Sequence, residues 1–450
     1  MAIGGQARGQ VVGALACQRN AYLRTLETAV VSCEKAPERK QKQPPSAGGG
    51  KAGKGEHRVP SAGDGEAERW LVEFEDSVLF PEGGGQPSDH GTITLQSDAD
   101  ATPIPVTFVE RIGLRCVCHS PRPLEPGDRV LQEVDFQRRW DHMQQHTGQH
   151  LLSAVLGSSS NLGTVGWGMG SNGALNYVDL DRKPSQDQLE IVLARCTELI
   201  RRSLPITVES PQDARLDKIP DDYDQSKGCV RVICIGDIDR NTCCGTHLSS
   251  TAHISLILTH HGETVHGTNF RLYFSAGDKA IRLATSSVGT VGSIARLLQC
   301  RNSPEDVMQT VKSTRDTAAD LRKRERKLLA DIADLEAEAA MGKLQRGRVV
   351  WVHRADGTPD FVKALLAKMK GVLSQRPGAV VVATGEERQS GQITVLGEKQ
   401  LVDALVVNSI KKLVPGVKGG GVGDKWQGKV PEWEKGALKA LETAVGSALG

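Results

Sequence analysis

No apolar run in this chain approaches the roughly 20 residues that a helical membrane span needs, so no membrane partner is expected. Neither sign of charge dominates. The chain has 56 Lys and Arg against 54 Asp and Glu, a formal net charge of +2. Any basic surface must therefore be local rather than global. Ten cysteines in 450 residues are too few for a disulfide scaffold. Cys243 and Cys244 are adjacent and Cys116 and Cys118 lie one apart, which points to a reduced, intracellular, cytoplasmic chain. No secretory apolar core opens the sequence. The first residues carry Arg8, Arg19 and Arg24 and no acid before Glu27, which faintly resembles an organellar transit peptide. The shortage of Ser and Arg in that stretch weighs against this reading without closing it. Aromatic residues are scarce at 4%, and glycine is abundant at 49.

A chain of this length divides into two to four domains. Residues 1–16 are expected to be an N-terminal extension and 17–138 a β-rich domain with a low-complexity insertion at 35–68. In that insertion Lys40-Gln-Lys-Gln-Pro-Pro and Gly48-Gly-Gly-Lys-Ala-Gly-Lys-Gly cannot bury a core. Short strands are predicted at Leu71–Phe74, Val78–Phe80, Thr92–Leu95, Val106–Val109, Arg115–His119 and Val130–Val134, separated by Gly and Pro. That spacing suggests a small β-barrel. The pattern then changes near Arg139. Met143, His146, Thr147, His150, Leu151, Ala154 and Val155 share a helical face. Ser185, with Gln188 three residues on, opens a second helix to Arg202. Strands resume at Ile206, Val230 and Ile254, so 139–285 reads as an α+β domain. Residues 304–346 form one long helix. Val311, Thr314, Ala318, Leu321, Glu325, Leu328, Ile332, Leu335 and Ala339 alternate spacings of three and four, a heptad seam that makes this helix a candidate homodimer interface. Its middle is basic and its end acidic. A solvated spacer and an RNA-leaning face are its other readings. Residues 347–450 alternate strands (Val349–Val352, Ala379–Ala383) with helices (Asp360–Leu373, Gly397–Val407), a small α/β domain. The whole is a multidomain α+β protein.

Two short motifs carry the chemistry. His146-Thr-Gly-Gln-His150 places two imidazoles at i and i+4, on one helix face. Cys243-Cys-Gly-Thr-His247 adds a thiol and a third imidazole. Each pair alone is common. Together they make a mixed N/S set that suits one zinc ion. Familiar alternatives fail. A zincin has Glu directly after its first His, and here that residue is Thr147. A zinc finger keeps its ligand pairs close in sequence. A base deaminase needs His-x-Glu and Pro-Cys-x-x-Cys, and both are absent. Thr147 and Gln149 lie between the two histidines and are the candidates for residues acting beside the ion.

The stretch Phe80-Pro-Glu-Gly-Gly-Gly-Gln86 is a second signal. Gly83, Gly84, Gly85 and Gln86 follow a predicted strand, and three glycines let backbone approach a ligand and expose N–H donors. A plain hairpin turn needs two residues rather than six, so a substrate-binding role is expected for these four. Near the C-terminus, the glycine-rich run from Gly416 carries Lys418, Lys425 and Lys429, either a phosphate-cradling RNA contact or a plain flexible loop.

Phe80-Pro-Glu-Gly-Gly-Gly-Gln, Asp141-His-Met-Gln-Gln-His-Thr-Gly-Gln-His-Leu and Asn241-Thr-Cys-Cys-Gly-Thr-His occur in that order. In these the chain resembles the editing domain of alanyl-tRNA synthetase and, more closely, the free-standing alanyl-tRNA editing proteins of the long type. The resemblance is clear from Leu79 to about Leu283 and weaker beyond. It implies a trans-acting hydrolase that removes a wrong amino acid, chiefly serine and also glycine, from the alanine tRNA. It also implies one zinc ion on His146, His150, Cys243 and His247. The insertion at 35–68 and the loosely matching C-terminal half depart from the pattern, which bears on tRNA selection more than on chemistry. The sequence is compatible with an ion that activates water and with one that orients substrate. It is compatible, too, with a deacylase for another charged tRNA, such as the threonine tRNA carrying serine, with a non-catalytic tRNA-binding module, and with a scaffold acting through the heptad helix.

Overall fold

The computed structural model describes residues 9–37, 69–97, 102–170, 174–209, 231–421 and 423–447. Most of the expected insertion, residues 38–68, lies outside them, as does Val230. The chain divides into two compact units, Met1–Thr290 and Val291–Gly450. Among the described residues no helix is long and apolar enough to cross a membrane.

The first unit begins with α1 (Ala16–Arg19), followed by β1 (Thr25–Lys35), β2 (Trp70–Phe74), β3 (Gly91–Leu95), β4 (Ile104–Val106), β5 (Val109–Ile112), β6 (Arg115–Ser120) and β7 (Arg129–Val134). These seven strands form one antiparallel sheet in the order β4-β3-β7-β1-β2-β6-β5. The long β1 pairs with β7 through its first half and with β2 through its second, and its register shifts between Val30 and Ser32. Such an irregularity bends a strand and lets one sheet curl. The edge strand β4 comes back to lie against β6 at the far side of the order, so the sheet is nearly closed. Val30, Val72, Phe74, Ile93, Val106, Cys118 and Val130 fill its interior, and Val12 and Leu15, from the stretch expected as an extension, join them.

Three strand expectations are corrected by the structure: the strand expected at Ile254 begins at Ile257, after a 3₁₀ turn over Thr251–Ile254. The stretch Val106–Val109 is a break between β4 and β5 rather than one strand. Val78, Leu79 and Phe80 are apolar and essentially fully buried, yet they form a loop. Apolar periodicity reports burial, and burial alone does not supply a ladder partner. The backbone there is satisfied by side chains instead. Gln132 Oε1 accepts from Val78 N (2.9 Å), Ser77 Oγ from Leu79 N (3.0 Å) and Asp89 Oδ2 from Phe80 N (2.7 Å).

The unit continues with α2 (Phe136–Ser160), β8 (Thr164–Gly168), β9 (Asn176–Leu180), α3 (Gln186–Arg201), β10 (Ile206–Glu209), β11 (Val232–Ile235), β12 (Asp239–Thr242), β13 (Ile257–Thr264), β14 (Phe270–Ala276) and α4 (Gly277–Leu298). A four-stranded sheet β13-β14-β9-β8 and a three-stranded sheet β10-β11-β12 enclose a second core with α2 and α3. Asp135 caps α2, and Ser185 and Gln188 form the expected reciprocal cap of α3. From His142 to Leu152 every residue of α2 is buried, so this helix runs through the interior with its polar residues engaged. Gln145 donates to Ala276 O (2.8 Å) and accepts from Asn176 (2.7 Å), while Gln144 reaches His253 O (3.0 Å). Arg139, fully buried, ties α2 to the barrel. Its guanidinium grips Asp89 and donates to Val78 O (2.7 Å) and Ala21 O (3.0 Å).

The second unit contains α5 (Pro304–Leu344), β15 (Val349–Arg354), α6 (Pro359–Leu373), β16 (Ala379–Thr384), β17 (Gly391–Gly397), α7 (Lys399–Leu405), α8 (Lys411–Leu413), β18 (Lys418–Gly420), β19 (Lys425–Val430) and α9 (Ala437–Ser447). Its sheet runs β15-β16-β17-β19-β18, with β15 and β16 parallel across α6. Ser303 caps α5, with Pro304 at its first turn. The helix expected over Gly397–Val407 starts two residues later and continues through a π-helical stretch, Val406–Ile410.

Candidate metal centre

His146 and His150 leave one face of α2, and Cys243 and His247 come from the turn after β12. The structure brings all four together, with their ligand atoms within 4.8 Å of one another. Cys243 Sγ lies 3.3 Å from His146 Nε2 and 3.3 Å from His247 Nε2. A tetrahedral zinc ion with ordinary Zn–S and Zn–N bonds separates such donors by about 3.6 Å.

The protonation of each ring is set by what lies behind it. Gln86 Oε1 accepts from Thr246 N (3.0 Å) and sits 2.8 Å from His146 Nδ1. An amide oxygen held by one N–H must meet another, so His146 Nδ1 carries the proton and Nε2 offers its lone pair. Asp239 Oδ2 stands 3.2 Å from His150 Nδ1 and leaves that ring's Nε2 for the cluster. Thr147 Oγ1, which accepts from Leu248 N (3.1 Å), is 3.5 Å from His247 Nδ1. Backing groups of this kind fix ligand orientation at metal sites. The donor set, its spacing and its ring orientations all fit a zinc ion.

The electrostatics agree. Burial opposes ionisation of Cys243, but His146, His247 and His150 outweigh it and hold the thiol well below its ordinary range. Gly245 N also donates toward its sulfur (3.4 Å). Burial likewise opposes a charge on His150, yet Asp239 and Cys243 raise it to about 9. Burial, assisted by the neighbouring His146, lowers His247 to about 3. The centre thus combines a thiolate and a carboxylate-backed imidazole, an anionic environment suited to a cation. Cys244 differs from its neighbour. Burial and the charge on Cys243 push it up to about 12, so it is a neutral thiol rather than a nucleophile.

Gly245 packs directly on the His146 ring. A Cβ there would lie 2.3 Å from His146 Cε1 and 2.7 Å from Gln86 Oε1, which is why this position in the second motif has no side chain.

The glycine stretch is simpler than expected. Gly83 and Gln86 form an isolated bridge and exchange both of its hydrogen bonds, around a two-residue tip. Gly84 and Gly85 have φ of +59° and +78°, the signature of a tight hairpin turn that only glycine adopts without strain. The extra residues expected of a functional loop are therefore a plain turn with short arms. Its tip is nonetheless at the centre, with Gly84 against Cys244 and Gly85 against Trp167. The amides left at that tip are those of Gly84 and Gly85.

A cavity of about 680 Å³ opens beside the cluster, and His146, His150 and Cys243 are part of its wall, as are Gly84 and Gln149. Thr147 is fully buried behind His247, and Gln86 commits its carboxamide to His146 and to Thr246, whose Oγ1 accepts from Gln86 Nε2 (2.8 Å). Gln86 positions a candidate ligand. Replacing it by Leu, which keeps the size and removes both functions, should lower metal affinity about 10- to 100-fold with the fold intact, measured by competition with a chelator. Asp239, Ser153, Thr164 and Trp167 also line the cavity, and no motif pointed to them. Lys418, Lys425 and Lys429 belong to the second unit. They are exposed on the β18–β19 ribbon, where Lys418 pairs with Lys429 in register.

The strand and turn that carry half of this centre have a counterpart among tRNA synthetase domains. Residues 230–273, which include Cys243 and His247, match the threonyl and alanyl tRNA synthetase second additional domain. Whole-chain comparison goes further. The chain is 34% identical to the "Putative alanyl-tRNA editing protein alaX" of Saccharomyces cerevisiae, across 96% of each protein. It is 31% identical to the "Alanyl-tRNA editing protein Aarsd1" of Mus musculus, across 94% of this chain and 96% of that one. The "Alanyl-tRNA editing protein AlaX-L" of Pyrococcus horikoshii is 28% identical over 57% of this chain and 65% of its own length. The chain belongs to the alanyl-tRNA editing protein family.

Proposed function

We propose that this protein is an aminoacyl-tRNA deacylase that edits the alanine tRNA in trans, chiefly when it carries serine and also when it carries glycine, with one zinc ion held by His146, His150, Cys243 and His247. The observation that carries this reading is the convergence of four donors from two remote motifs at the edge of a cavity large enough for an aminoacyl-ribose. Hydrolysis adds water across the ester, breaks its C–O bond, and releases the amino acid and a free ribose hydroxyl. Zinc, when bound, supplies positive charge that favours attack on the carbonyl.

The chain's own residues do the rest. Gln86, Asp239 and Thr147 hold the three imidazoles in the tautomer that presents Nε2. The Gly84 and Gly85 amides are rigid donors at the cavity edge, placed for an oxyanion or for the terminal adenosine. On the opposite count, serine must be distinguished from alanine. Gln149 Nε2 donates to Ser153 Oγ (2.9 Å), and Thr164 Oγ1 donates to the same oxygen (3.1 Å). This polar row lies on the cavity wall among the apolar Ala154, Leu162, Val165 and Trp167. A site that hydrogen-bonds a hydroxyl rejects the analogue lacking it by factors of roughly 10⁴, whereas an apolar sieve gains far less. The exposed Lys418, Lys425 and Lys429 are assigned to phosphate contact with the tRNA backbone.

The test is a panel of alanine tRNA charged with serine, glycine or alanine, and threonine tRNA charged with serine. Wild-type protein is expected to cleave the first two and spare the third. Preference for the threonine tRNA would overturn the assignment. Thr164→Val removes one member of the polar row while keeping its shape. It should cut kcat/KM for the serine ester about 10- to 100-fold, leave the glycine ester nearly untouched, and keep full metal content.

A further inference from the structure

The second unit carries an apolar face that its own fold does not cover. In α5, 41 residues long, Ala333, Ala337, Ala340 and Leu344 pack against the β15 and α6 side of the unit. Every residue from 311 to 328, by contrast, is exposed. Most helical stability in proteins comes from packing an apolar face, and this stretch buries none of its residues within the chain. On this stretch and just beyond it, Leu321, Leu328 and Leu335 recur at an exact heptad and are 58%, 61% and 66% exposed. Val311, in step with the same spacing of three and four, extends the row toward the N-terminus at 45%. Seven residues advance a helix by nearly two full turns, so the leucines form one stripe, turned away from the buried alanine face.

The charges say what covers it. Arg322, Lys323, Arg324 and Lys327 lie on the N-terminal side of Leu328 or beside it, and Asp331, Asp334 and Glu338 follow on the C-terminal side. We infer that α5 pairs with α5 of a second copy of this chain, antiparallel and centred near Leu328. That orientation sets the basic segment of each helix against the acidic segment of the other, while Leu321 of each faces the region of Leu335 of the other. A parallel pair would set like charge on like charge along the whole seam. Several of these charges already make exposed pairs within the unit, Arg326 with Asp360 and Lys368 with Asp334. Such pairs are weakly held and free to exchange. The seam from Val311 to Leu335 covers more than three heptads, roughly 36 Å at 1.5 Å per residue, enough for a stable two-helix contact.

Sedimentation of the full chain over a concentration series tests this. Wild type is expected to be a dimer at micromolar concentration, with a dissociation constant that rises with salt, because screening weakens opposite-charge contacts. Leu328→Asp and, independently, Leu321→Asp place a carboxylate in the dry seam of both copies and should raise that constant at least about 100-fold, giving compact monomers by sedimentation coefficient. Both leucines are solvent-exposed in the single chain, so neither change disturbs its core. A wild type that stays monomeric at 50-fold higher concentration overturns the inference, as does a dimer indifferent to both substitutions. A dimer that tightens with salt overturns the antiparallel arrangement.

Discussion

Cys243→Ala is expected to leave a folded protein that holds no zinc and deacylates serine-charged alanine tRNA at least about a thousandfold more slowly. The size of the effect follows from what the thiolate does. It is the one anionic donor of the four, it lies 3.3 Å from two imidazoles, and its charge is stabilised by all three rings. Without it the site keeps only three imidazoles, which as neutral donors hold a buried cation more weakly than a set that includes a thiolate. The fold has other supports there. Arg231 donates to Cys243 O (3.2 Å) and Gly245 O (2.8 Å), contacts that need no side chain at position 243. His146→Ala should behave alike, with the added loss of the ring that packs on Gly245. Metal analysis and single-turnover hydrolysis on the same preparations decide the matter. A metal-free variant that still deacylates at the wild-type rate would falsify the assignment of the centre to catalysis.

Asp89→Ala should destabilise the first unit by about 3–5 kcal/mol, the typical result of leaving one partner of a buried ion pair alone. Both residues are fully buried. Burial opposes the charge on Arg139, and Asp89 more than offsets it, holding the guanidinium protonated. Asp89 accepts from Arg139 Nε at 3.1 and 3.0 Å and from Phe80 N at 2.7 Å, so its loss strands a buried cation and a buried amide together. Through Val78 and Ala21 the same guanidinium fastens the barrel to the helix that carries His146 and His150. Metal affinity should therefore fall with stability, although no ligand is touched. Denaturant unfolding of the full chain, followed with Trp fluorescence, reads the first effect. Equal stability of wild type and Asp89→Ala would show that the pair is dispensable.

Much of the fold was readable in advance because it rests on local rules. The Ser185 cap, the 41-residue α5 with its proline start, and the buried strands Val349–Arg354 and Ala379–Thr384 follow from capping, periodicity and β-branched runs. What escaped has a common cause. β1 carries residues such as Glu27, Ser32 and Glu34 among its apolar ones, and it is a strand because β7 and β2 flank it. α4 contains Gly289 and Gly292 and a weak apolar pattern, and it was not anticipated. Val78–Phe80 looks like a strand and is a loop, held by Gln132, Ser77 and Asp89 from elsewhere. Non-local partners decide such segments, and a linear pattern does not contain them.

The four donors were legible in the sequence as two pairs, each common by itself, whose order together with the glycine stretch marks the family. Tertiary structure decided the rest of the centre. Gln86 and Asp239, from a hairpin and a strand, stand at Nδ1 of His146 and His150, and Thr147 of α2 stands at Nδ1 of His247; only folding brings these partners together. The reason is physical: ligand identity is a property of single side chains, whereas ring orientation, cavity shape and charge balance arise between residues that the chain keeps far apart until it is folded.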